Sequence, residues 1–382
     1  MTARPRVAVV HDYLTQRGGA ERVVLSMLRA FPGAPLYTSL YEPDATFPEF
    51  RDHDVRPLWT NRIGALRRDH RRGLFLYPFA FSGLRVDADV VLCSSSGFAH
   101  GVRTTGRKVV YCYTPARWLY DQSATYLAGW PAPVAAAVRV AGPALRHWDK
   151  RAARTPEHYL TSSRAVQGRI ADSYGIEASI VPPPVTVDAN RPQAAVAGVE
   201  PGFVLCVSRL LAYKNVDAVV EAFEHLPGAR LIVAGTGPAR RGLEEKAGTN
   251  VSFLGHIGHA ELAWLYAHCV GVVSASREDF GLTPLEAAAY GKPSAVLRFG
   301  GFLDTVVEDE TGIFFDEPIA YQIADAVQRL LERAWDGDLM KRHAESFSES
   351  SFARRLRDAV GRPKETATSA TASTLEATGE LP

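Results

Sequence analysis

The chain has 382 residues, 46% of them hydrophobic, which is enough for two domains with sizeable cores. Its net charge of +1 gives no reason to expect a nucleic-acid partner, yet the charge is unevenly placed. Residues 1–185 hold 24 Lys and Arg against 15 Asp and Glu, and residues 186–382 hold 19 against 27, so the first half is the one suited to an anionic surface or partner.

Met1 to Arg6 runs directly into an apolar strand with no signal peptide before it, which predicts a cytoplasmic protein. That strand is RVAVVHD, Arg6 to Asp12. Gly18 and Gly19 follow, then a helical stretch from Ala20 to Phe31 with Val23, Val24, Met27 and Leu28 on one side. Strand, glycine turn and helix make the first unit of a doubly wound domain. The glycine pair serves either the sterics of the turn alone or the close approach of a ligand.

The segment Arg62 to Phe81 is different. Arg62, Arg67, Arg68, Arg71 and Arg72 lead straight into Leu74, Phe75, Leu76, Phe79 and Phe81. A basic cluster joined to an apolar one fits a peripheral contact with an anionic membrane, and equally a solvated helix followed by a core helix. Further strands read at PLYTS, Asp89–Ser95, Lys108–Thr114, His158–Ser163 and Ser179–Pro184. The stretch Trp130 to Leu145 is apolar, but Pro131, Pro133, Arg139 and Pro143 interrupt it, and it is too short to cross a bilayer. Cys93, Cys112, Cys206 and Cys269 are far apart and sit in apolar runs, as buried thiols of a reducing compartment would.

Pro182-Pro183-Pro184 and the loop Pro192 to Gly202 read as a linker, giving domains of 1–185 and 186–346. The second domain repeats the alternation: strands Phe203–Arg209, Arg230–Gly235, VSFLG, VGVVSAS, SAVLR and IFF, with helices between them. The expected architecture is α/β, two Rossmann-like doubly wound domains facing a cleft. A helix at 347–361 follows, then a Thr-, Ser-, Ala- and Glu-rich tail, 362–382, expected to be disordered.

The most informative stretch is SREDFGLTPLEAAAYGKP, Ser276 to Pro293. Gly281 permits an unusual turn. Thr283-Pro284-Leu285-Glu286 reads as a helix start, with Thr283 as N-cap and Glu286 three residues on. Glu286 is then either a capping-box partner or a ligand-binding carboxylate, and Glu278 either a solvated loop charge or its companion. In SRLLAYKN, Arg209 and Lys214 stand between a strand and a helix, where two cations could neutralise a diphosphate. Gly235-Thr236-Gly237 lacks the third glycine of a dinucleotide fingerprint, which counts against a dehydrogenase.

Ser276 to Pro293 resembles the Glu-x7-Glu segment of the retaining glycosyltransferases of family 4, which have the GT-B fold; Glu278, Phe280, Gly281, Glu286, Ala287, Gly291 and Pro293 carry the match. The resemblance implies that Glu278 contacts donor sugar hydroxyls and that Glu286 binds the ribose diol. It implies that the backbone of Phe280, Gly281, Leu282 and Thr283 meets the diphosphate or sugar. It places Arg209 and Lys214 on the leaving diphosphate, Gly18 and Gly19 beside it, and Gly235 and Gly237 near the nucleotide, with the loop Gly255–Gly258 bordering the base.

YCYTPARWLYD, Tyr111 to Asp121, is similar to a segment common in mannosyltransferases of surface polysaccharide assembly. Arg117 matches. Tyr113 stands where that segment has histidine, which puts acid-base chemistry at the position in doubt; it reads either as a site residue that positions a sugar hydroxyl or phosphate oxygen by one hydrogen bond, without proton transfer, or as a core aromatic at a strand end. Asp304 stands where the family usually has Glu. The resemblance implies a metal-independent enzyme without cofactor, moving a hexose, with GDP-mannose as first choice of donor, to a glycan or lipid-linked acceptor. It also implies a C-terminal helix that crosses back to the first domain. A non-catalytic nucleotide-sugar-binding protein and, more remotely, a dinucleotide oxidoreductase are the alternatives. His11, His256 and His259 read as ordinary polar residues at element ends.

Overall fold

The computed structural model describes residues 5–120, 132–185, 187, 189 and 191–361. The expected tail, 362–382, lies outside the described residues. The first domain carries β1 (Val7–His11), β2 (Leu36–Thr38), β3 (Val55–Pro57), β4 (Arg85–Val86), β5 (Val90–Ser95), β6 (Arg103–Thr104), β7 (Arg107–Cys112), β8 (His158–Thr161) and β9 (Ser179–Ile180). Seven of these form one parallel sheet in the order β3-β2-β1-β5-β7-β8-β9, and β4 pairs with β6 apart from it. The second domain carries β10 (Phe203–Val207), β11 (Leu231–Ala234), β12 (Val251–Gly255), β13 (Cys269–Ser274), β14 (Ser294–Leu297) and β15 (Gly312–Phe315), in the order β12-β11-β10-β13-β14-β15, all parallel.

Both orders are doubly wound. The direction of winding reverses between β1 and β5 in one sheet and between β10 and β13 in the other. At such a reversal the connections on either side depart to opposite faces, and a crevice opens beyond the carboxyl ends of the strands. The central strands are apolar through their middles because helices cover both faces: Val91, Leu92, Val109 and Val110 are buried in the first sheet, Val204, Leu205, Val272 and Val273 in the second. All four cysteines are free and buried, and burial pushes the thiols of Cys93, Cys206 and Cys269 up to about 12.

The helix Glu349–Gly361 lies on the first domain. Phe352, Leu356 and Val360 share a core with Val23 and Met27 of the helix Gly19–Ala30, and Arg357 Nε donates to Ala30 O at 3.1 Å. Among the described residues no helix is long and apolar enough to cross a membrane.

The basic segment folds as short pieces, among them the helices Gly64–Arg68 and Tyr77–Gly83. It does not divide into a solvated part and an apolar part. Leu66, Leu74, Tyr77 and Phe81 are buried, whereas Trp59, Ile63 and Phe79 are exposed. Arg67 turns inward, pairing with Glu42 at 3.1 Å and donating to Asn61 O at 2.5 Å, and Arg71 pairs with Asp69 at 3.0 Å. Arg62 and Arg68 remain exposed with no ion pair among the described residues.

Candidate functional site

The side chains leaving β10 and β13 meet at the reversal of the second sheet. After β10 the chain makes a tight turn, Ala212–Lys214, closed by Asn215 in the left-handed region at φ 50°. Asn215 Nδ2 donates to Ala275 O at 2.8 Å and so ties this turn to the exit of β13. Lys214 is buried, and its Nζ donates to Glu278 Oε1. Lys214 and Glu278 are thus brought together. Arg209 is not part of that pair. It is exposed, and its Nη2 donates to Tyr213 Oη at 2.9 Å. The loop Gly235–Gly237 passes so close to this turn that a side chain at Gly235 would strike Ser208 O and one at Gly237 would strike Leu210 O. Both glycines let the loop after β11 lie directly against the segment leaving β10.

The helix after Glu278 runs from Leu282 to Ala289, and its N-cap is Gly281 at φ 85°, not Thr283. Glycine is needed here on two counts, the left-handed backbone and the ring of Phe302, which fills the space a side chain would take. Pro284 then falls at the third helical position, where its missing N–H costs nothing. The capping-box reading of Glu286 fails with this register. Glu286 instead accepts from Tyr266 Oη at 2.7 Å, and burial pushes its carboxyl above the ordinary value. The side chain of Phe280 is core, tilted against Phe347 with ring centres 6.1 Å apart, so only its backbone is available to a ligand. Leu282 and Thr283 are half-buried in the first turn. His256 is exposed in the loop after β12, and His259 is exposed as the first residue of the helix His259–His268.

In the first domain Gly18 caps the helix Gly19–Ala30, and Gly18 N donates to Glu21 Oε2 at 2.9 Å. Gly19 faces open space. Beneath them lies a polar chain the sequence did not reveal. Glu21 Oε1 is 3.9 Å from His11 Nε2, His11 Nδ1 is 2.9 Å from Ser94 Oγ, and Ser94 Oγ is 3.0 Å from Tyr113 Oη. Tyr113 Oη donates to Ala20 O at 3.1 Å. A carbonyl only accepts, so the phenol hydrogen is spent on Ala20 and the Ser94 hydroxyl donates to Tyr113; His11 Nδ1 is then the donor to Ser94. Asp12 accepts from the backbone N–H of Ser96, Phe98 and Ala99 at 2.6, 2.9 and 2.7 Å, which fixes the exit of β5 against that of β1. The one signal for Asp12 was its place directly after an apolar strand.

Tyr113 thus supports the start of the glycine helix, and its bond goes to the backbone rather than to a ligand. Burial holds the phenol protonated well above its usual range, so it has no proton to exchange near neutral pH. Tyr113→Phe should fold and should lower stability by about 1–3 kcal/mol, the cost of leaving Ala20 O and the Ser94 hydroxyl without this partner. Thermal denaturation checks this, and an unchanged melting temperature would reduce Tyr113 to a packing residue.

The two domains face each other here. Arg22, on the helix Gly19–Ala30, and Glu286, on the helix Leu282–Ala289, attract one another across the cleft. Among the described residues no three His, Cys, Asp or Glu side chains gather where a metal ion could be held.

Residues 189–349 match the family of glycosyl transferases group 1. The match covers most of the second domain, including Lys214, Glu278 and Glu286. A D-inositol 3-phosphate glycosyltransferase of Mycobacteroides abscessus is 34% identical over 205 residues, 48% of this chain and 46% of that relative. Its counterpart in Mycobacterium bovis is 35% identical over 195 residues, 44% of this chain and 40% of that relative. The chain thus spans less than half the length of these relatives. Solved structures are similar along nearly the whole chain. Sucrose-phosphate synthase from Thermosynechococcus elongatus has a TM-score of 0.68 at 18% identity, covering 93% of this chain and 98% of its own. Anabaena HepE, in complex with UDP and glucose, has a TM-score of 0.65 at 17% identity, covering 93% and 99%. A lipopolysaccharide outer core galactosyltransferase also has a TM-score of 0.65, at 15% identity, covering 93% and 99%. The fold, two parallel-sheet α/β domains, is the GT-B fold that these structures share.

Proposed function

We propose that this protein is a glycosyltransferase that moves a hexose from a nucleotide-diphosphate sugar to an acceptor hydroxyl in the cleft, with retention at the anomeric carbon. The observation that carries this reading is the buried Lys214 on Glu278 at the sheet reversal, inside the segment that matches the group 1 family. Lys214 supplies the charge that a leaving diphosphate needs, so the reading requires no metal and no cofactor, and Arg209 stands at the cleft rim as a second cation. Glu278 binds hydroxyls of the transferred sugar and Glu286 the ribose diol. GDP-mannose is the donor favoured by the segment Tyr111–Asp121. The D-inositol 3-phosphate glycosyltransferases and the UDP complex of HepE make an anionic acceptor and a uridine donor the alternatives to screen. Incubation with GDP-mannose or UDP-glucose and candidate acceptors, with release of nucleoside diphosphate as the readout, tests the reading. A thermal shift with GDP or UDP but no release on any acceptor would favour a non-catalytic binding protein.

The acceptor is proposed to be a glycan or a lipid-linked glycan at the inner face of a membrane, met by the exposed rim of Trp59, Arg62, Ile63, Arg68 and Phe79. Replacing Arg62 and Arg68 by Ala together with Phe79→Ser should abolish co-sedimentation with acidic liposomes, since each basic residue at such a surface is worth about 1 kcal/mol. Equal sedimentation of variant and wild type would remove the membrane from the proposal.

A further inference from the structure

The loop that carries Glu278 is gripped by the other domain. Asp279 is the next residue. Its Oδ1 accepts from Arg169 Nη1 at 2.5 Å, its Oδ2 accepts from Arg117 Nη2, and its carbonyl oxygen accepts from Ser163 Oγ at 2.5 Å. A second carboxylate repeats the arrangement nearby. Asp304 accepts from Arg164 N at 2.9 Å and from Arg164 Nε at 2.5 Å, and Leu303 O accepts from Arg164 Nη2 at 2.7 Å. Every donor here belongs to the first domain. Arg117 opens the helix Arg117–Tyr120, Ser163 is the N-cap of the helix Arg164–Tyr174, and Arg164 and Arg169 lie within that helix.

The acceptors form one unit. Gly301 N donates to Glu278 O at 3.0 Å, and side chains at Gly300 or Gly301 would strike the backbone of Glu278 or Phe280. The helix Phe302–Thr305, which bears Asp304, is therefore pressed onto the loop that bears Glu278 and Asp279. Asp304 also sits at the N-terminus of the helix Arg164–Tyr174, where a carboxylate meets a free N–H and the positive end of the helix dipole. Asp279 is half-buried between two guanidinium groups. With Asp279 neutral, those two cations would face each other without a counter-charge.

Resting on the glycosyltransferase reading, we propose that the first domain completes the donor-side machinery: Asp279, held by Arg117 and Arg169, is a positioning residue that fixes Glu278 where Lys214 reaches it. Glu278 is one peptide from the gripped carboxylate, and its own carbonyl oxygen is tied to Gly301. Its backbone is thus constrained on both sides. Nucleotide binding, which draws on the second domain, does not need this grip. Turnover does.

The test compares wild type with Asp279→Asn, Arg117→Gln and the double variant, reading nucleoside-diphosphate affinity, kcat and the radius of gyration by small-angle scattering. Each single change should lower kcat by about tenfold to 10²-fold, the range that misplacing a reacting group costs. Affinity for GDP or UDP should stay within about twofold, because the lost contact is made only between domains. The double variant should lose no more than the worse single, since both remove the same contact. The radius of gyration should rise in all three. A kcat near wild type in Asp279→Asn, or losses that multiply in the double variant, would overturn the proposal. If Asp279→Asn does not fold, Arg117→Gln and Arg169→Gln each remove one of the two charged donors on Asp279, and unchanged kcat in both would overturn it equally. Failure of wild type to bind any nucleoside diphosphate would instead strike the glycosyltransferase reading; the scattering comparison then decides the grip alone, and equal radii would end it.

Discussion

Lys214→Ala should abolish most turnover in a protein that still folds and still binds nucleotide. Lys214 is 8% exposed, and its ammonium lies on Glu278 between two strand ends that the fold already fixes. A charge held in such a place acts with little screening and needs no reorganisation as the diphosphate leaves. The expected loss in kcat is roughly 10²-fold or more, by analogy with other preorganised charge stabilisers, with a smaller loss of donor affinity. Stability should fall only modestly. The partner left behind, Glu278, has a side chain 30% exposed, so water can solvate its carboxylate. Steady-state kinetics with a thermal melt separates the two effects. Unchanged turnover in a folded variant would remove Lys214 from the mechanism and leave it as a structural partner of Glu278.

The parts of this site that were legible in the sequence are those carried by local pattern. Apolar runs such as Phe203–Val207 and Cys269–Ser274 read as buried strands because both faces of a parallel sheet are covered, and their order placed Lys214 and Glu278 at strand exits. What stayed illegible depends on partners distant in the chain. Gly281, rather than Thr283, caps the helix at Leu282, and the ring of Phe302 that leaves room for no side chain there is 21 residues away in the chain. Asp279 is separated from Arg169 by 110 positions and from Arg117 by 162, and no periodicity links them. Tyr113 was recognisable as an oddity, but nothing local said that its hydroxyl reaches Ala20 O. The edge strand Val55–Pro57 has three residues and is largely exposed, so it carried no apolar signal. Arg67 and Arg71 belong to one basic run in the sequence, but in the fold they pair with Glu42 and Asp69.

Glu286→Gln should weaken nucleotide binding while leaving the protein at least as stable at neutral pH. Glu286 sits at the fifth position of the helix Leu282–Ala289, beyond any capping role, and accepts from Tyr266 Oη. Burial raises its carboxyl above the ordinary value, against the opposing pull of the Tyr266 bond and of Arg22. An acid whose folded value is raised contributes stability that is complete below its unfolded value and is lost as pH rises through the folded one. Wherever its carboxyl is ionised, the wild type therefore bears the cost of a desolvated charge. Glutamine does not, and its carbonyl oxygen still accepts from Tyr266. The melting temperature of the variant should match or exceed that of wild type at pH 7, and the difference should vanish as pH falls toward the ordinary carboxyl range. Binding should move the other way. If Glu286 accepts from the ribose diol, removing its charge costs about 1.5–3 kcal/mol, or roughly 10- to 100-fold in affinity for GDP or UDP by calorimetry. A variant that melts lower at pH 7 and binds nucleotide as tightly as wild type would make Glu286 a structural acceptor for Tyr266 and nothing more.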